Sequence, residues 1–345
     1  MLPFLGEQFG DPGRLHAEGR ATRVALETAR EQVAAFLGAR PREVMFTSSG
    51  TEAVNTALVA ASDAHVVTTA IEHSSVHDTL ARNDAKVTVV GVDREGRVDA
   101  DELVRAVEPD TKLVSVQLVN HEVGTTQPVA AMCDALRDHD VLVHVDACAA
   151  IGYEPIDFAA LGADLCSVTA HKFGGPSGAG ALLIRRGLRI PPLMVGGAQE
   201  RARRGGIENV AAWVGFGAAC AETDVTTEAP RIRALTDAAA RVTEQIPDVE
   251  RYGDESAPHI LCLGIAGVEA EPILLALDQH GVAVHSGSSC SSETLEPSPV
   301  LAAMGVDGER SLRVSPGWST TPSDIERFVE VLPGIVERLR GLRAP

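Results

Sequence analysis

The chain has no stretch approaching about 18 consecutive apolar residues, the length a membrane-crossing helix needs. Its opening, "MLPFLGEQFG", lacks the basic segment followed by an apolar one that marks a secretory leader. A soluble protein is the expectation. The six cysteines, at 133, 148, 166, 220, 262 and 290, form no CxxC pair and keep no metal-ligand rhythm. This argues against a disulfide framework or a structural zinc, and a reducing cytoplasm fits best. An excess of positive charge is missing too: 30 Lys plus Arg stand against 48 Asp plus Glu, a formal net charge of −18. That balance disfavours non-specific attraction to nucleic acid or to an anionic membrane. The basic stretch "ERARRGG" at 200–206 is the exception, readable either as a solvated loop or as a site that meets an anion. Neither a fixed-period repeat nor a long low-complexity segment is found.

What is present is a 345-residue chain with 45% hydrophobic residues, enough for a large core and, by length, about two domains. Between residues 44 and 184, the valine-rich runs "EVMFTSS", "HVVTTAI", "KVTVVGV", "KLVSVQLV", "VLVHVDA" and "DLCSVTA" are of strand length. Helix-like segments such as "TEAVNTALVAA", "DADELVRAVE" and "AAMCDALRDH" separate several of them. Such alternation predicts an α/β fold with a mostly parallel sheet covered on both faces, with ligands gathering at the carboxyl ends of the strands. The polar stretch "TDVTTEAP" suggests a boundary near residue 225. The expected domains are 1–225, and 226–345 as a smaller α+β domain with the helical "RIRALTDAAARVTEQI" and the strand-like "HILCLGI" and "GVAVHSG".

Four features fall at expected strand ends in the first domain. Ser49 stands three residues before Glu52, the spacing of a capping box, so Gly50 and Thr51 occupy a first helical turn able to hold a phosphate. His73, in "IEHSSVH", lies just past a strand; its i+4 neighbour His77 suggests a metal pair, but there is no HExxH and no third ligand. Ring stacking, hydrogen bonding and a structural role all remain open for His73. Asp146 ends an apolar strand and needs a cationic partner or several hydrogen bonds. Lys172, in "SVTAHKFGGPSGAG", is read as a buried lysine that must be paired or chemically used. The glycines after it lack the GK[ST] ending of a phosphate loop and suit a tight turn into "ALLIRRG".

A phosphate cradle, a histidine, a buried aspartate and a lysine together match pyridoxal phosphate, which is held on a lysine with an acid at its ring nitrogen. In the second domain Cys290 sits in "HSGSSCSSETLEPSP", among Ser286, Ser288, Ser289, Ser291 and Ser292, a composition that favours a surface loop. Cys133, Cys166, Cys220 and Cys262 have apolar or helical surroundings and read as small core residues. Cys148 could lie near the site, with nothing further to support it.

The chain resembles the cysteine desulfurases, pyridoxal-phosphate enzymes of aminotransferase class V with the aspartate aminotransferase-like fold (fold type I). The similarity runs through "FGDPGRLHAEGR", "FTSSGTEAVNTAL", "EHSSVH", "NHEVGTTQPV", "HVDA", "TAHKFGGPSGAGAL", "GGAQERARRGGIENV", "HSGSSCSS", "LEPSPVL" and "SLRVSPG". Its serine-rich cysteine loop is similar to that of the group with a long loop, which includes the iron-sulfur-cluster and nitrogenase-associated desulfurases. The resemblance implies that Lys172 is the Schiff-base lysine and the acid/base for the substrate α-proton. Asp146 would pair with the pyridinium nitrogen, His73 would stack on the ring, and Gly50, Thr51, Thr169 and His171 would hold the phosphate. Arg313 would clamp the substrate carboxylate. Cys290 would take the sulfur as a persulfide, leaving L-alanine. A homodimer, with "RRGGIENV" near the partner's site, and a protein sulfur acceptor are also implied; a cluster scaffold, a carrier for tRNA thio-modification or a biosynthetic carrier would all serve.

Three positions depart from the family pattern. His121 replaces the asparagine before the glutamate of "NNExG", Ala149 replaces a glutamine, and Ile207 replaces a threonine offered to the partner's phosphate. His121 is then expected to stand in for both amides toward the cofactor or substrate. Family members normally open with a short strand and a "DNxAT"-like segment, so the N-terminal segment is short for the family. Two other readings are open: a carbon–sulfur lyase that releases pyruvate and does not need Cys290, and a non-catalytic accessory protein of the same fold.

Overall fold

The computed structural model describes residues 1–254, 256–286 and 298–343. The chain divides into two compact units, one of 1–90, 100–118 and 128–225, the other of 91–99, 119–127 and 226–345.

The first unit is built on seven strands: β1 (Val44–Thr47), β2 (His65–Thr69), β3 (Lys86–Val90), β4 (Thr111–Gln117), β5 (Leu142–Asp146), β6 (Leu165–Thr169) and β7 (Gly180–Ile184). Their order is β1-β7-β6-β5-β4-β2-β3. From β6 to β3 every pairing is parallel, while β7 runs antiparallel to both β1 and β6. Strands β1, β2, β6 and β7 are buried at every position, which is why they read as continuous apolar runs instead of alternating ones. Met45, Val66, Leu113, Leu165 and Leu182 of the strands pack with Val54 and Leu58 of helix Gly50–Leu58 and with Val76 and Leu80 of helix Ser74–Arg82. Each such side chain contributes roughly 1.5–3 kcal/mol on burial. The packing fixes both helices with their N-termini at the carboxyl edge of the sheet.

The second unit holds an antiparallel sheet of β8 (Val249–Tyr252), β9 (Leu261–Ile265), β10 (His285–Ser286) and β11 (Ser311–Val314), in the order β10-β11-β9-β8. Helices Ala270–Gln279 and Pro322–Arg343 belong to it. Segment 119–127 is a closed loop: Val119 bridges Thr126, and Asn120 Oδ1 accepts from the amides of Glu122 and Val123 at 2.9 Å each. It is tied to 91–99 by Gln127, whose Oε1 accepts from Val98 N at 3.0 Å and whose Nε2 donates to Gly96 O at 2.7 Å.

The polar stretch "TDVTTEAP", where a boundary near residue 225 is expected, is helical for most of its length, forming the first turns of helix Val225–Ala240, which carries Pro230. Ile232, Leu235, Thr236, Ala239 and Ala240 are buried at helical spacing, and their burial overrides the local preference. Among the described residues, no helix is long and apolar enough to cross a membrane.

Candidate active site

The carboxyl end of β1 passes directly into a helix start. Ser49 caps helix Gly50–Leu58, its Oγ accepting from Glu52 N at 3.1 Å. Glu52 reaches back one residue further than an ordinary capping box, accepting from Ser48 N at 2.8 Å, and Arg204 Nε donates to it at 2.9 Å. Partial burial works against the Glu52 charge, but Arg204 and Ser48 outweigh it and hold the carboxyl below its usual range. Trp213 braces the same turn, stacking on Phe46 with centroids 5.0 Å apart and donating from Nε1 to Thr47 O at 3.0 Å. The result is a braced helix N-terminus whose first-turn amides and dipole favour an anion. Gly50 admits no side chain there, since a Cβ would lie 2.5 Å from Cys148 Sγ.

Two neighbouring strands end at the same edge. Asp146, the last residue of β5, is 7% exposed, and its Oδ1 accepts from Cys148 N at 2.9 Å. β6 ends at Thr169 and turns into the 3-10 segment Ala170–Phe173, which carries His171 and Lys172. Thr169 Oγ1 and His171 Nδ1 are 2.9 Å apart. Partial burial, then the charge of Lys172, pushes the His171 ring below its ordinary value.

Lys172 is exposed, not buried as the sequence reading has it. The strand stops three residues earlier, so the lysine leaves the apolar layer and stands at the open edge. Tyr153 anchors its backbone, the hydroxyl donating to Lys172 O at 3.1 Å. His73, half-buried, is the N-cap of helix Ser74–Arg82, its Nδ1 accepting from Ser75 N at 3.0 Å. Gly50, Thr51, His73, Asp146, Thr169, His171 and Lys172 thus all lie at the strands' carboxyl edge of the first unit.

His121 and Arg313 are brought together in the second unit, where Arg313 Nη1 donates to His121 O at 2.9 Å. The His121 ring lies 3.6 Å from the Glu122 carboxylate, and Glu122 Oε2 accepts from Ser298 Oγ at 2.5 Å. Cys290 and Ser288, Ser289, Ser291 and Ser292 lie outside the described residues.

Three side chains at the edge carry no signal strong enough to be singled out from sequence. Cys148 meets both Gly50 and Asp146; burial, then the Asp146 charge, holds its thiol well above the ordinary value. Glu72 is buried beside Asp146, with Oε1 accepting from Thr69 Oγ1 at 2.5 Å and from Gln117 N at 3.1 Å. Burial pushes this carboxyl up to about 8. His144 is the third, fully buried between two serines. The other described cysteines are held as thiols: burial raises Cys133 and Cys262 to about 12, and Cys166 and Cys220 higher still.

The class-V aminotransferase profile matches residues 2–328. "Cysteine desulfurase IscS" of Dictyoglomus turgidum is 42% identical, an alignment that takes in 99% of this chain and 91% of that protein. A solved "NifS-like protein" superposes with a TM-score of 0.89 at 31% identity, covering 98% of this chain and 94% of the other. "SspA in complex with cysteine" superposes with a TM-score of 0.81 at 27% identity, over 91% and 92% of the two chains. Fold, edge geometry and relatives agree, and the chain belongs to the class-V aminotransferases, among the cysteine desulfurases.

Proposed function

We propose that this protein is a pyridoxal-phosphate-dependent cysteine desulfurase. The observation that carries the reading is the convergence, on one sheet edge, of a braced helix N-terminus, a buried carboxylate and an exposed amine. That donor set suits pyridoxal phosphate: amides and hydroxyls for a phosphate, an anion for a ring nitrogen, a primary amine for an aldehyde.

The first-turn amides of Gly50 and Thr51, with the side chains of Thr51, Thr169 and His171, would hold the phosphate. Asp146 would face the ring nitrogen, His73 would stack on the ring, and Lys172 would anchor the aldehyde carbon. When bound, the cofactor supplies an electron sink for the pair released at the substrate's Cα. Lys172 Nζ then takes the proton from Cα and returns one to the product. Arg313 orients the substrate by its carboxylate, for which the planar guanidinium is suited, and His121 takes the place of the two amides. Cys290 Sγ, as thiolate, takes the substrate's sulfur. The Cβ–S bond breaks, a Cβ–H bond forms and an S–S bond forms on Cys290, so that L-alanine and an enzyme persulfide balance L-cysteine and the enzyme thiol.

The raised thiols of the five described cysteines favour Cys290 as the sulfur carrier. A homodimer, a thiol-bearing protein acceptor and the cytoplasm complete the reading. The test is product analysis with L-cysteine and a thiol reductant, beside Cys290→Ala. Alanine equal to sulfide, both lost in the variant, is expected. Pyruvate insensitive to the substitution would overturn the reading in favour of a lyase.

A further inference from the structure

His144 precedes Asp146 by two residues on β5, so the two side chains share a face of the sheet. Its ring is fully buried and bridges the neighbouring strands: Nδ1 lies 2.9 Å from Ser115 Oγ on β4, and Nε2 lies 2.8 Å from Ser167 Oγ on β6. Both serines are themselves fully buried. Ser115 is directly opposite His144 in the strand register, whereas Ser167 is opposite Asp146. The ring therefore ties three parallel strands immediately beneath the carboxylate.

A hydroxyl can donate or accept, so the two serines satisfy the neutral imidazole in either tautomer. Burial, against the pull of Asp146, lowers the ring to about 4. Glu72 after β2, Cys148 beyond β5 and Cys166 on β6 also feel Asp146. Burial favours the uncharged form in each of them. A charged imidazolium two residues from Asp146 would be a cation in competition with whatever cation the carboxylate is meant to meet.

We propose that His144 is a positioning residue for Asp146, an uncharged cross-strand tie that fixes the ends of β4, β5 and β6 and adds no competing charge of its own beneath the carboxylate. The inference rests on the reading of Asp146 as the partner of the cofactor's ring nitrogen.

The test is a double-mutant cycle read as the dissociation constant of pyridoxal phosphate from the apoprotein, with thermal unfolding of each variant recorded alongside. His144→Ala is expected to weaken binding about tenfold in the wild-type background and by less than about threefold in Asp146→Asn, because coupled residues are not additive. His144→Gln, whose amide can still engage both serines, should recover most of the loss. Equal losses in both backgrounds would overturn the inference. Unchanged binding in Asp146→Asn alone would remove the reading of Asp146 and the inference with it. Should His144→Ala fail to fold, the wild-type ring still decides the matter: its NMR signal, assigned by difference from His144→Gln, should not titrate between about pH 8 and 5.5. A midpoint near 6.5 would overturn the proposal.

Discussion

Arg313 holds the loop of His121 by its main chain, Nη1 donating to the carbonyl oxygen at 2.9 Å. The guanidinium and the ring are thereby separable by mutation.

Arg313→Lys should raise KM for L-cysteine about 10- to 100-fold, because an ammonium cannot reproduce a bidentate fork on a carboxylate. His121→Ala keeps the main-chain contact and should raise KM far less. Steady-state kinetics of the two variants checks this; equal increases would assign the clamp to the ring.

Gly50→Ala should be destabilising although alanine favours helices, since its Cβ would lie 2.5 Å from Cys148 Sγ and 3.4 Å from the Thr169 Cβ. A cost of about 1–3 kcal/mol is expected for such overpacking. Adding Cys148→Ala should restore most of it, as read by urea unfolding of the apoprotein.

Glu72 predicts a pH dependence with a definite sign. Its carboxyl is raised from 4.5 to about 8 in the folded chain, so between those values the unfolded state has released a proton that the folded state keeps. Stability contributed at this site therefore falls as pH rises from about 4.5 to about 8. Glu72→Gln should match wild type near pH 4.5 and gain on it steadily toward pH 8. A stability difference that does not vary with pH would refute the buried neutral acid.

Ala202 sits in a run of three non-glycine residues with positive φ: Glu200 at 48°, Arg201 at 60° and Ala202 at 61°. The turn is held by buried Glu200, which Arg30 grips with two bonds of 2.7 Å while Phe46 N donates at 2.9 Å. Exposed Ala202 pays for a left-handed backbone that glycine adopts freely. Ala202→Gly should raise stability by about 1 kcal/mol, measured as a higher melting temperature.

Much of this was legible in the sequence, and what was not has a physical reason. Five of the six valine-rich runs form strands buried at most or all positions, which leaves a nearly unbroken apolar signature, whereas the sixth, β3 at the sheet edge, is largely uncovered and reads as a strand by its valines alone. The helix after Ser49 announces itself through its cap. The helical "RIRALTDAAARVTEQI" was legible, but the first turns of Val225–Ala240 were obscured because Thr, Glu and Pro mark breaks locally, whereas the apolar spacing begins at Ile232. The exposure of Lys172 depends on where β6 stops, and strand ends are poorly encoded. Glu72 and His144 were invisible as site residues because their partners, Gln117, Ser115 and Ser167, are distant in sequence. The left-handed turn at 200–202 likewise depends on Arg30, 170 residues from Glu200 in sequence.

The burial of the thiols has one more consequence. Sulfane sulfur migrates between cysteines only through thiolates, and this chain keeps Cys133, Cys148, Cys166, Cys220 and Cys262 protonated at neutral pH. Sulfane sulfur brought to the chain would find no berth at any of these five described thiols, so it could be handed outward without being scrambled among them.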